Sequence, residues 1–239
     1  MPNPLRAQDV LLVHTSDLHL GAEIQGDDGA GPDSLYRLRQ VLAAAERAHV
    51  LLVAGDMFDN NRLPLSLLER VTMLLAQAAL RVVILPGNHD PLTPDSVYRR
   101  GPIADAPNVS VLGLSADESV VFPEWNLEVW GRAHRDYSDM PPMADPPRRT
   151  TRWRIAVAHG HYEEAGPGDA RWRPSWRFRT QDLAAAEADY VALGHWNRAA
   201  KVGDGAVLAY YSGSPDLAGT VNLVRLAADG SVQVTQEPV

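Results

Sequence analysis

The chain has no cysteine and a single lysine, Lys201, among its 239 residues. The lack of cysteine excludes disulfide frameworks and thiolate zinc sites, which fits a reducing compartment, and we expect the cytoplasm. No apolar run approaches the ~18 residues that a membrane helix requires, and no apolar export signal precedes Asp9, so we expect no membrane association. The formal net charge of −8 argues against a general nucleic-acid binder. Carboxylates that bind metal ions would be offset by those ions, however, so the charge excludes no metal-dependent enzyme.

The chain does contain a series of short apolar segments, each followed by polar residues. These segments predict buried strands at residues 10–14, 50–54, 82–85, 155–158 and 190–193. Amphipathic helices with a 3.6-residue period separate the first three strands. The pattern predicts an α/β fold in one domain, residues 1–239. Short strands punctuated by turns after residue 109 predict a more antiparallel second sheet, with a closing β-meander over residues 199–234.

The residues that end the predicted strands are rich in carboxylates, imidazoles and amides. The strand-end set is Asp17, His19, Asp56, Asn88, His89, His159 and His195, with Asn197 beside the last. Because the carboxyl ends of strands in an open α/β sheet meet at one edge, where ligands bind, we expect these side chains to lie together. Their oxygens and nitrogens suit divalent metal ions. The sequence therefore predicts two ions that share Asp56 as a bridging ligand, with every member of the set except His89 as a ligand.

Two adjacent metal ions suit the hydrolysis of phosphate esters. Such a pair holds a hydroxide nucleophile and stabilises in-line displacement at phosphorus. His89 is then the candidate general acid for the leaving oxygen, and Asp90 beside it can orient the imidazole and raise its pKa. We expect Asp59 to form a turn or to support a ligand, and not to bind an ion directly. The predicted function is phosphoester hydrolysis by a metal-bridged hydroxide.

Five motifs, in order, resemble the signature of the calcineurin-like metallophosphoesterases. They are Asp17-Leu18-His19, Gly55 to Asp59, Gly87 to Asp90, His159, and Gly194-His195-Trp196-Asn197. The resemblance implies a four-layer αββα sandwich and two divalent ions, most often Mn, with Fe or Zn as alternatives. By position it assigns the first ion to Asp17, His19 and Asp56. It assigns the second ion to Asp56, Asn88, His159 and His195.

A finer resemblance, over residues 15–21, 189–195 and 212–215, is to DNA repair exonucleases of the SbcD type. It implies a DNA substrate, Mn and an ATPase partner of the SbcC type. The chain ends soon after the last motif, so we expect no separate capping domain. The family's final histidine is Asn197 here, which predicts a weaker first ion site unless His161 supplies the missing imidazole.

Three functional alternatives remain open at this point: a DNA exonuclease, a phosphodiesterase or phosphatase acting on a nucleotide or other small ester, and a catalytically weak metal-binding scaffold. His161, Arg198 and His134 are candidate contacts for substrate. Arginines alternate with aromatic residues at 148–154 and 171–179. Such a stripe suits phosphates and stacked bases. Alternatively, its rings pack beneath a loop while its arginines pair with acids.

Overall fold

One six-stranded sheet carries the first three predicted strands. The computed structural model describes residues 8–22, 35–164 and 175–239. In chain order this sheet contains β1 (Val10–Thr15), β2 (Val50–Ala54), β3 (Arg81–Leu85), β4 (Val109–Val111), β13 (Thr220–Leu226) and β14 (Val232–Pro238). Its spatial order is β14-β13-β1-β2-β3-β4. Strands β1 to β4 are parallel to one another, whereas β13 pairs antiparallel with both β1 and β14.

A second six-stranded sheet contains the later predicted strands. Its members are β5 (Ser119–Phe122), β6 (Leu127–Trp130), β7 (Trp153–His159), β10 (Tyr190–Gly194), β11 (Ala200–Val202) and β12 (Leu208–Tyr211), in the spatial order β11-β12-β10-β7-β6-β5. A short parallel pair, β8 (His161–Tyr162) with β9 (Arg177–Phe178), lies beyond the end of β7. The three central pairings of the second sheet are parallel, and only its outermost pairings are antiparallel.

Helices cover the outer faces of the two sheets. They are α1 (Tyr36–Ala44), α2 (Leu65–Gln77), α3 (Val97–Arg100), α4 (Thr180–Ala185) and α5 (Pro215–Ala218), with 3-10 turns at Pro102–Asp105 and Pro123–Trp125. The apolar faces of α1 and α2 join the core of the first sheet, and Leu183 of α4 packs on the second sheet. None of the described helices is long and apolar enough to cross a membrane.

The two sheets pack face to face, and the core between them is continuous. Strand β2 is buried along its whole length, as expected for a parallel strand covered on both sides. Ile155, Val157 and Ala192 of the second sheet belong to the same apolar cluster as the strands of the first. Helix, sheet, sheet and helix therefore form four layers, and the predicted αββα fold class is confirmed.

Two sequence expectations about topology are wrong. The second sheet is mainly parallel, and residues 199–234 are not a meander, because β12 pairs parallel with β10 while β13 returns to β1 in the other sheet. Local alternation and turn residues identify strands but do not specify which distant strand each will join. The predicted cap of the first helix, Asp33 or Ser34, lies outside the described residues.

Four arginines in the described part of the arginine-rich stripe form ion pairs. The Arg154 guanidinium contacts Glu128, and both side chains are almost fully buried. Arg149 pairs with Asp189, and Arg177 and Arg179 pair with a common partner, Glu163. For these arginines the packing alternative is therefore confirmed; residues 171–173 lie outside the described chain.

Replacing Arg154 by Met should lower the free energy of unfolding by about 3–5 kcal/mol, because it leaves the buried Glu128 carboxylate without its cation. Thermal and denaturant unfolding would measure the change. Arg225→Met is the matched control, since the Arg225–Asp9 pair is exposed and such pairs contribute little. An equal decrease in the free energy of unfolding in both variants would contradict the claim that the buried ion pair stabilises the fold more than the exposed one.

Candidate metal centre

The carboxyl ends of five strands meet where the two sheets abut. Strands β1, β2 and β3 are parallel neighbours, and in the other sheet Gly194 at the end of β10 lies beside His159 at the end of β7. The His159 imidazole crosses to the first sheet and contacts the Ala54 carbonyl oxygen at 2.9 Å. The strand-end residues of both sheets are thus collected at a single seam.

Four of the strand-end residues have left-handed backbone conformations. The φ angles are 55° for Asp17, 43° for His19, 51° for Asp56 and 101° for His195. Such angles are uncommon for residues other than glycine, and they concentrate at functional sites. Backbone bonds hold the turns: Asp17 N–H donates to Gly55 and His19 N–H donates to Asp56, each at 3.1 Å. Four of the eight described non-glycine residues with positive φ therefore lie where these side chains converge.

His159 is held as a ligand imidazole would be. The ring is fully buried, and its Nδ1 faces the Ala54 carbonyl, which can only accept, so Nδ1 carries a proton. Its Nε2 lies 2.9 Å from Asn88 Oδ1 and 3.1 Å from Asp56 Oδ2. Metal-binding histidines are usually held in this way, with a carbonyl fixing one ring nitrogen while the other faces the ion.

Two glycines make room for this histidine. A Cβ on Gly55 would lie 2.0 Å from His159 Nδ1, and a Cβ on Gly194 would lie 1.8 Å from the Ala54 carbonyl oxygen. Both distances are well below van der Waals contact. The glycines of the Gly-Asp and Gly-His motifs therefore allow the ring to sit between the two sheets.

The charge at the seam fits a divalent cation. Asp17 and Asp56 are each 2% exposed, and their carboxylates and the His159 nitrogen offer ligand atoms within 4.8 Å of one another. Burial raises the pKa of Asp17, although the His159 ring opposes this. Burial lowers the pKa of His159, but the Asp56 carboxylate outweighs it and raises the pKa to about 9. Without an ion, the protonated His159 ring therefore supplies the positive charge that two buried carboxylates require. A divalent cation would take over that role by displacing the proton on Nε2.

A second cluster adjoins the first and contains Asp59. The ligand atoms of His19, Asp59 and His89 also lie within 4.8 Å of one another. Asp59 Oδ1 is 3.8 Å from His19 Nδ1 and 4.0 Å from His89 Nδ1. The sequence motif predicts only a supporting role for Asp59, whereas the structure sets its carboxylate between two candidate functional histidines. Its place as the last residue of the Gly-Asp motif is the signal available in the sequence.

The expectation that Asp90 orients His89 is corrected by the structure. Asp90 is fully buried, and its carboxylate accepts hydrogen bonds from the backbone N–H groups of Gly87 and Phe58 and from the Tyr98 hydroxyl. The His89 imidazole instead donates from Nδ1 to the Asp59 carbonyl at 2.9 Å. Asp90 thus fixes the loop that bears Asn88 and His89, and it does not touch the imidazole.

His195 lies close to His159. The His195 backbone N–H donates to both Asp17 carboxylate oxygens, at 3.0 and 3.2 Å, and the ring lies 5.3 Å from the His159 ring. Burial, with His159 as a second cause, lowers the pKa of His195 to about 4. A neutral imidazole is the form that binds metal, so the environment favours its expected role.

The three candidate substrate contacts are placed differently from one another. His134 is fully buried behind the metal centre, where its Nε2 donates to the His159 carbonyl, so it supports that strand end and does not face a substrate. His161 is partly exposed, and its Nδ1 accepts from the Trp196 indole. Arg198 is exposed immediately after the last motif. The side chain of Asn197 is exposed as well, and its backbone carbonyl accepts from Ser214 N–H.

The variant Asn197→His tests whether this position limits metal binding. An imidazole should raise affinity for Mn²⁺ or Zn²⁺ on the order of tenfold, because nitrogen ligands bind such ions better than an amide oxygen does. Metal titration by calorimetry would measure the change, with Arg198→His as the control that places an imidazole one residue away. Unchanged affinity would mean that another residue, such as His161, already fills the position.

Comparisons with known proteins agree with the motifs. A family model described as calcineurin-like phosphoesterase matches residues 10–199. The chain is 26% identical over 241 residues to the SbcD component of the SbcCD nuclease of Bacillus subtilis, covering 85% of this chain and 61% of the relative. A shorter match, 32% identical over 84 residues, is to the DNA double-strand break repair protein Mre11 of Aeropyrum pernix, covering 33% of this chain and 20% of that protein. The chain thus spans less than two thirds of the length of these relatives.

Solved structures share the architecture. A Staphylococcus aureus protein assigned as a 5'-nucleotidase has a TM-score of 0.64 at 14% identity, over 97% of this chain and 54% of that chain. Another structure has a TM-score of 0.58 at 14% identity and covers 96% of this chain and 98% of the other. At this identity the likeness concerns the fold alone.

Proposed function

The chain belongs to the calcineurin-like phosphoesterase family, and we propose that it is a divalent-metal phosphodiesterase acting on DNA. The observation that carries the proposal is the buried cluster of Asp17, Asp56 and His159, which the partly buried Asn88 contacts and which lies beside a half-exposed His89. Similarity to the SbcD nuclease component supports DNA as the substrate. By the same similarity we propose Mn as the ion and an SbcC-type ATPase as partner.

The proposed ligands follow the strand ends. Asp17, His19 and Asp56 would hold one ion, and Asp56, Asn88, His159 and His195 the other. When bound, the ions would polarise the phosphoryl oxygens and lower the pKa of an attacking water. The protein's own contribution is to fix this donor set before substrate arrives, through the Ala54 bond to His159 and the His195 bonds to Asp17.

His89 has the position of a general acid. Its backbone N–H donates to Asp56 Oδ1 at 2.9 Å, which ties the residue to the bridging carboxylate. Its Nδ1–H is given to the Asp59 carbonyl, so Nε2 is the nitrogen available to a substrate. A proton held there can pass to the departing oxygen, and the positive charge of that form also binds phosphate.

The cleft beside His89 is large enough for a phosphodiester. It has a volume of about 950 Å³, and its lining residues include Asn88, His89, Arg62 and Trp176. That volume is at the upper end of small-ligand sites, so there is room for groups on either side of a bound phosphate. The partly open cleft therefore favours a substrate with substituents beyond the phosphoryl group.

A small nucleotide ester is the second candidate substrate. The observation that favours it is the ion pairing of Arg149, Arg154, Arg177 and Arg179, which leaves these cations neutralised by acids instead of available to a long DNA backbone. A short substrate held within the cleft needs no such extended surface.

Metal content and Mn-dependent hydrolysis would test the proposal together. The expected result is two ions per chain, with cleavage of linear DNA and of a simple phosphodiester such as bis(p-nitrophenyl) phosphate. Hydrolysis of small esters without DNA cleavage would select the second candidate. One ion and no turnover in excess Mn would refute an enzyme and favour a metal-binding scaffold.

A further inference from the structure

The cleft beside His89 has two aromatic side chains at its border. Tyr137 is 63% exposed and Trp176 is partly exposed, and both line the cleft together with Asn88 and His89. An aromatic ring as exposed as Tyr137 contributes little to the core. Its place on the wall of a cleft next to the metal centre needs a different explanation.

Trp176 is held in place by several contacts. Its backbone N–H donates to the Asp139 carboxylate, and its indole N–H donates to the Ser138 carbonyl at 3.0 Å. Its ring meets the His134 ring at 5.2 Å and the His195 ring at 5.8 Å, both edge to face. Trp176 is thereby fixed between the segment that follows Tyr137 and the histidines of the metal centre.

The backbone of Trp176 is also strained. Its φ is 56°, a left-handed angle that is a genuine outlier for a bulky residue. Such strain persists only where surrounding contacts enforce it, and it concentrates at ligand sites. If Trp176 only packed against its neighbours, a strained backbone would not be needed. The observed geometry instead places a partly exposed ring on the wall of the cleft.

Another part of the cleft lining, residues 59–64, is braced by hydrogen bonds and carries a cation. The Arg100 guanidinium donates to the carbonyls of Asn61 and Leu63, and the Asn61 side chain donates to the Pro91 carbonyl and the Thr93 hydroxyl. These bonds brace residues 59–64. Arg62 in this segment is exposed and lines the cleft. The lining of the cleft thus combines two aromatic rings with an arginine on a braced segment, and it also includes the carboxylates of Asp59 and Asp95.

We propose that this cleft is a nucleobase-binding site in which Trp176 and Tyr137 stack on a base while Arg62 contacts a neighbouring phosphate. Stacking on aromatic side chains is tolerant of base identity because every base has a π face, and a guanidinium suits the phosphate between bases. The base could come from a DNA strand or from a free nucleotide. The inference rests on the proposed function only in placing the scissile phosphate beside His89.

Equilibrium binding separates this proposal from catalysis. The probes are a fluorescent, phosphorothioate-linked six-nucleotide DNA strand, an abasic strand of equal length, and a mononucleotide competitor. Trp176→Leu should bind the base-containing strand about tenfold more weakly, with affinity for the abasic strand and metal content both unchanged. Trp176→Phe should retain most of the binding, and Tyr137→Leu should lose part of it. Tyr36→Leu, which removes an exposed tyrosine from α1, is the control and should change nothing.

The outcomes distinguish a base site from a structural tryptophan. Equal losses for base-containing and abasic strands, or loss of metal from Trp176→Leu, would overturn the proposal, because either result assigns the ring to packing alone. Competition by the mononucleotide at similar affinity would support the site with a free nucleotide as the source of the base. Binding that depends on the base, without hydrolysis, would support the base site and refute the proposed function. Hydrolysis together with binding that does not depend on the base would support the proposed function and refute the base site.

Discussion

Hydrolysis is expected to fall more than ~10³-fold when Asp56 is replaced by Asn, with loss of metal from both sites. The Asp56 carboxylate occupies the centre of the site: Oδ2 is 3.1 Å from His159 Nε2, and Oδ1 accepts from His89 N–H. Asparagine keeps the size of the side chain but removes a negative charge and gives one ligand position to an NH₂ group, which cannot bind a cation. Metal analysis and Mn-dependent turnover of the same preparation would measure both effects.

The control for this variant is Asp105→Asn, which makes the same change at an exposed position on the 3-10 turn Pro102–Asp105. It should keep full activity and metal content. The fold of Asp56→Asn should survive, because the amide oxygen can still accept from the His89 N–H, and His159 can give up its second ring proton once the carboxylate that raises its pKa is gone. Normal turnover in Asp56→Asn would rule out a shared bridging ligand.

The sequence predicts the strand ends and the residues they carry with little error. Strand β2 is found at residues 50–54 as expected, and β1 and β3 differ from prediction by one residue. The reason is physical: parallel strands buried on both faces have continuous apolar runs, and polar residues mark their ends sharply. Because neighbouring parallel strands end at the same sheet edge, the convergence of Asp17 and Asp56 follows from the pattern alone. His159 reaches them from the other sheet, and the packing of the two sheets on each other is not contained in that pattern.

Side-chain direction within the loops does not follow from the sequence. Asp90 directly follows His89, yet its carboxylate is turned into the core toward Tyr98. Asp59 is distant in sequence from His89, yet its carboxylate lies between His19 and His89. Each acid ends a motif, and the motifs do not say which of the two carboxylates faces the histidines. Their roles depend on which buried donors the fold brings near, and such partners are set by tertiary packing.

Backbone strain is also beyond a prediction from the sequence. Asp17, His19, Asp56 and His195 are not residues that a turn pattern assigns to the left-handed region, apart from the weak preference of Asp and His. The conformation is imposed by bonds between neighbouring loops, such as His19 N–H to the Asp56 carbonyl. The same applies to Trp176, which belongs to an arginine-rich stripe in the sequence but which the structure sets against the metal centre.

Replacing His89 by Gln should lower kcat about 10²- to 10³-fold for a DNA or dinucleotide substrate, whose leaving alkoxide needs a proton. The loss should be much smaller for a p-nitrophenyl ester, because nitrophenolate departs without protonation. Metal content should not change, since the His89 ring is bonded to the Asp59 carbonyl and the Asp17–Asp56–His159 cluster does not include it. His49→Gln is the matched control, because His49 accepts from the Leu11 backbone N–H just before β2, at the end of the strand away from the metal cluster.

The comparison of the two substrates decides between the roles open to His89. If His89 is a general acid, the loss of kcat in His89→Gln grows with the pKa of the leaving group. If His89 only binds the phosphate, the variant loses the same activity toward both esters, and the loss appears in KM. A third result, loss of one ion, would make His89 a ligand with His19 and Asp59, whose atoms are close enough to hold a cation. Because the His89 ring is half-exposed and lines the cleft with its Nε2 available to a leaving oxygen, we expect the dependence on the leaving group.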